Sequence, residues 1–88
     1  MTQPLAGKQI LIVEDEPVFR SLLDSWLTSL GATTRQAEDG IEALQQIAIS
    51  KPDLMICDIS MPRMNGLELV EQVRNQGEQL PILMISAT

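Results

Sequence analysis

This chain of 88 residues predicts an α/β fold, a doubly wound parallel sheet with the element order βαβαβαβ. Short apolar runs at Ile10–Val13, Leu54–Cys57 and Ile82–Ile85 read as strands covered on both faces. Between them, apolar residues recur at helical spacing behind capping residues, and the joins are short. Right-handed crossovers then require a mostly parallel sheet with helices on both sides.

Residues 9–13 form the first strand. Asp15 or Glu16 suits the N-cap of the next helix and Pro17 its first turn. Val18, Leu22, Leu23, Trp26, Leu27 and Leu30 follow at helical spacing until Gly31, which predicts a helix over 17–30. Thr33-Thr34-Arg35-Gln36-Ala37 is a more polar strand, as suits a sheet edge. Asp39 with Glu42 resembles a capping box, and Ile41, Leu44, Ile47 and Ala48 make the stripe of a second helix before Ser50-Lys51-Pro52 breaks it.

The third strand spans Asp53 to Asp58 and a loop runs from Ile59 to Asn65. Asn65 and Glu68 offer a capping box for a third helix, with Leu67, Val70 and Val73 behind it and Gly77 at its far end. Pro81 introduces the fourth strand, Ile82–Ile85. Residues 1–88 read as one domain at most, with no repeat or linker; a core of this size buries only about 60–65% of the unfolded surface.

Composition narrows the function. Six basic against twelve acidic residues give a net charge of −6, which repels phosphate backbones and argues against direct nucleic-acid binding. One cysteine excludes an internal disulfide, the start Met-Thr-Gln-Pro is unlike a signal peptide, and no apolar run reaches membrane-spanning length. The cytoplasm is the expected compartment. Without histidine, a Ser-His-Asp triad is excluded and zinc chemistry is unsupported.

Ligands in open parallel sheets bind beyond the carboxyl ends of the strands. With the first and third strands adjacent, Glu14, Asp15 and Asp58 meet at that rim, and Ser86 arrives from the fourth strand. Two carboxylates about 4 Å apart repel by roughly 4 kcal/mol at an effective dielectric near 20, so the cluster shares protons or holds a cation. Mg²⁺ fits an oxygen-only donor set best. Glu14-Asp15-Glu16 equally suits simple capping of the first helix. Cys57 reads as a small core residue, and Arg63 either attracts phosphate or is a solvated loop arginine.

Glu14-Asp15, Asp58 followed by Met61-Pro62 and Gly66, and Ser86-Ala87 resemble the receiver domain of two-component response regulators. The resemblance implies a flavodoxin-like sheet of strand order 2-1-3-4. It makes Asp58 the phosphoacceptor and gives Mg²⁺ to Glu14, Asp15, Asp58 and the backbone carbonyl of Ser60. Ser86 bonds the phosphoryl group and small Ala87 leaves room for the donor. The implied partners are a histidine kinase, a phosphotransfer protein or acetyl phosphate; catalysis extends at most to the chain's own phosphorylation and dephosphorylation.

Ile10–Glu16, Phe19–Trp26 and Asp53–Gly66 are also similar to a receiver whose protein delivers a sigma factor to a protease, which implies sigma factor and protease adaptor contacts. A complete receiver adds a helix, a fifth strand bearing a phosphate-binding lysine and a last helix. This chain stops at Thr88, and Lys8 and Lys51 precede strands at the opposite rim. It is therefore expected to be a partial receiver with an exposed fourth strand through which it forms a homodimer or another association. The rival readings are a phosphorylation-independent protein interaction module and, more weakly, a Mg²⁺-dependent phosphohydrolase.

Overall fold

The computed structural model describes residues 3–61 and 63–86. β1 (Gln9–Val13), α1 (Pro17–Ser29), β2 (Thr33–Ala37), α2 (Gly40–Ile49), β3 (Leu54–Asp58), α3 (Gly66–Asn75) and β4 (Ile82–Ile85) follow in the expected order. The four strands form one parallel sheet in the order β2-β1-β3-β4.

Strand alternation divides the core in two. Ile10, Ile12 and Ile56 face α1 and pack with Leu27 and Ala32, while Leu11, Val13, Met55 and Cys57 face α2 and α3. One side of the sheet thus carries two helices and the other carries one. α1 lies over β1 and β2.

The helix stripes differ from the sequence expectation in how much they bury. In α1, Leu27 is buried and Leu23 and Leu30 are half-buried, whereas Val18, Leu22 and Trp26 are exposed. These three repeat at i, i+4 and i+8 and form a row beside the sheet-facing one. In α2 the buried positions are Gly40, Ala43 and Ile47, while Ile41 and Ala48 face outward. In α3, Leu69 and Val73 are buried and Leu67 is exposed. Each helix touches the sheet along one narrow row, so an apolar residue about a hundred degrees away stays outside.

The caps form at the residues read, although the Glu42 carboxylate accepts from the Glu38 N–H (3.4 Å) and so closes no capping box with Asp39. Phe19 N–H donates to Glu16 Oε2 (2.8 Å), Glu42 N–H to Asp39 Oδ1 (2.8 Å), and Asn65 with Glu68 makes the reciprocal capping box. Asp53 lies just before β3, where its carboxylate accepts the Gln9 N–H (2.8 Å). β4 stands at the sheet edge and leaves Leu83 52% exposed.

Candidate functional site

Register builds the site. Ile12 pairs with Ile56 and Val13 with Cys57, so one step further Glu14 and Asp58 stand side by side at the carboxyl ends of β1 and β3. Both follow the even-numbered residues that face α1, and both are buried. Asp15 turns outward. Single carboxylate oxygens, one each from Glu14, Asp15 and Asp58, lie within 4.8 Å of one another.

The cluster is electrostatically unbalanced. Glu14 Oε1 accepts the Glu16 N–H (3.0 Å), but buried Glu14 Oε2 has no hydrogen-bond partner among the described residues. Burial pushes the Glu14 carboxyl up to about 7; the Glu16 N–H pulls the other way, and Asp58 and Asp15 add to the rise. An orphaned buried oxygen among three convergent carboxylates fits a hard divalent cation such as Mg²⁺.

The loop after β3 closes tightly on the acceptor strand. Ser60 N–H points to Asp58 Oδ1 (3.4 Å), Gly66 N–H donates to Ile59 O (2.8 Å), and Ile59 N–H donates to Ile85 O (3.0 Å). A Cβ on Gly66 would fall on the Asp58 carbonyl oxygen and lie 2.8 Å from Met84 Cε. Ser86 follows Ile85, which pairs with Asp58, and so stands at the same rim. Ala87 lies outside the described residues, as does Pro62. Cys57 is buried on the opposite sheet face, and burial, with Asp58 and Glu14 adding, pushes its thiol up to about 12. A thiol held protonated suits the core role read from sequence.

Arg20 and the Asp39–Arg63 pairing escaped the sequence reading of the site. Arg20 donates to Glu14 O (2.9 Å) and Gln36 Oε1 (3.0 Å) and approaches Glu38 Oε1 (3.8 Å), bracing the end of β1 against β2. Its signal is a lone cation in the first turns of a helix that starts beside an acidic run. Asp39, read only as a cap, is also ion-paired to Arg63, a contact between separate loops that leaves no local pattern.

The family model described as response regulator receiver domain matches residues 10–88, and the chain belongs to that family. Receivers are signalling domains of two-component systems and bind Mg²⁺ at an acidic pocket. The chain is 70% identical over all 88 residues to Regulator of RpoS of Escherichia coli (strain K12), covering 26% of that protein. It is 43% identical over 79 residues, 90% of this chain, to Response regulator MprA of Mycobacterium ulcerans (strain Agy99), covering 34% of it. The chain thus spans about a quarter to a third of the length of these curated relatives.

Among solved structures, response regulator TrrA of Thermotoga maritima in complex with Mg²⁺-BeF is similar with a TM-score of 0.87 and 38% identity, over 92% of this chain and 70% of that one. The N-terminal domain of a response regulator receiver protein from Methanoculleus marisnigri JR1 gives a TM-score of 0.90 at 29% identity, over 94% of this chain and 69% of that one. Among the described residues no helix is long and apolar enough to cross a membrane.

Proposed function

We propose that this chain is a phosphoacceptor receiver in which Asp58 takes a phosphoryl group from a histidine kinase, a phosphotransfer protein or acetyl phosphate. The observation that carries the reading is the convergence of Glu14, Asp15 and Asp58 around a buried carboxylate oxygen that lacks a partner. A carboxylate oxygen of Asp58 attacks phosphorus, the bond from phosphorus to the donor breaks, and its electron pair leaves with imidazole or acetate. The product is an aspartyl phosphate.

Glu14, Asp15, Asp58 and the Ser60 carbonyl would hold Mg²⁺. When bound it neutralises charge on the transferring oxygens. Ser86 is assigned to bonding the phosphoryl group and Ala87 to leaving room for the donor, both by family pattern. The name of the 70% identical relative, Regulator of RpoS, supports an output that regulates a sigma factor; protease adaptor contacts belong to this reading by family likeness alone. The cytoplasm is the matching compartment, and residues 1–88 supply the acceptor part of the receiver.

Incubation with acetyl phosphate and Mg²⁺ followed by intact-mass measurement tests this reading. In a complete receiver that contains these residues, the wild type gains one phosphoryl group and Asp58→Asn gains none, because the amide keeps the volume but loses the anionic nucleophile. An undiminished adduct in the variant refutes the assignment. A second reading is a phosphorylation-independent interaction module. It requires partner binding that survives Asp58→Asn unchanged.

A further inference from the structure

The loop between Asp58 and α3 is fastened to α2. Asp39 is 2% exposed and carries two duties: Oδ1 caps α2 by accepting the Glu42 N–H, and Oδ2 pairs with the Arg63 guanidinium. Arg63 is the one non-glycine residue at positive φ (65°) among the described residues, a conformation L side chains avoid unless their surroundings hold it. Its neighbour Met64 presses on the first residue of α2: a Cβ on Gly40 would lie 2.8 Å from Met64 Sδ and 2.9 Å from its Cγ. At the far end of the loop, Gly66 sits on the Asp58 carbonyl.

We propose that Arg63 is a positioning residue for acceptance at Asp58, pinning the 59–65 loop to the first turn of α2 through Asp39. The inference rests on the reading of Asp58 as the acceptor. The loop leaves directly from Asp58 and includes Ser60, whose N–H points to the Asp58 carboxylate. Release of its midpoint frees that N–H to drift and loosens the acceptor's orientation, and small misplacements are costly to a transfer that depends on alignment. α2 thereby acquires a hold on the site without touching the phosphoryl group.

The experiment measures the rate of acetyl-phosphate adduct formation at saturating Mg²⁺ in a complete receiver that contains these 88 residues. Arg63→Ala removes the cation at a comparable backbone preference. Asp39→Asn removes the charge but keeps a good N-cap, which preserves the test if Arg63→Ala does not fold. Each slows adduct formation roughly fivefold, the double variant is no slower than the slower single, and Arg63→Lys recovers most of the rate.

Unchanged rates in the single variants, slowing that multiplies in the double, or an Arg63→Lys variant as slow as Arg63→Ala overturns the proposal. A wild-type chain that forms no Asp58-dependent adduct overturns instead the acceptor reading beneath it, so the two failures are distinguishable.

Discussion

Glu14 sits where packing and charge oppose each other: β1 carries it into the interior beside Asp58, and one of its oxygens is left without a donor. Its carboxyl rises from 4.5 to about 7 in the fold. Between those pH values the folded chain holds a proton that the unfolded chain has released, so stability falls as pH rises from about 4.5 to about 7 and levels off above. The contribution is on the order of 3 kcal/mol. In metal-free buffer the urea midpoint is therefore expected to be lower at pH 8 than at pH 5, and Glu14→Gln is expected to flatten this difference. A wild-type midpoint equal at both pH values, or an undiminished slope in the variant, contradicts the account. The three acids were legible because each ends an apolar run or adjoins one that does. The Arg63–Asp39 pair was not, because it depends on a left-handed backbone step and on the approach of two loops far apart in sequence.

At the scale of elements, strand positions and caps followed from local chemistry, whereas the buried rows of the helices did not. Periodicity locates an apolar face but not which of two adjacent rows meets the sheet; Leu27 went inward and Val18, Leu22 and Trp26 did not. Gly66 shows a constraint that local reading half caught. It was seen as part of a cap, but the joint between β3 and α3 requires it for space, since the carbonyl of the acceptor residue occupies the volume of a Cβ. Gly66→Ala must shift α3 away from Asp58, and overpacking of this kind costs about 1–3 kcal/mol. The variant is expected to unfold at correspondingly lower urea and to form adduct more slowly than wild type. Wild-type stability and rate together would show that the joint yields freely.

At the scale of the whole sheet, among the described residues, its two edges are chemically unlike. β2 presents threonines, Arg35 and Gln36, a polar border that discourages pairing, while β4 presents Ile82, Leu83, Met84 and Ile85. The 88-residue chain is expected to associate through β4, with a mass that rises with concentration in light scattering and falls back towards monomer in Leu83→Lys. A monomer from micromolar to millimolar concentration with cooperative unfolding contradicts this. The strand order itself was legible by family likeness, since periodicity alone does not say which strand neighbours which. That order also sets when the acids meet during folding. Ile10 reaches Thr34, and Met55 reaches Ile82, within single βαβ crossovers, but Ile10 must reach Leu54 across nearly twice that span. Each doubling of a closed loop costs about 0.6 kcal/mol more in chain entropy. The units β1-α1-β2 and β3-α3-β4 close over the shorter loops, the first carrying Glu14 and Asp15 and the second Asp58. The repulsion among these three carboxylates is met only where β1 and β3 pair, the contact that spans the longest of these loops.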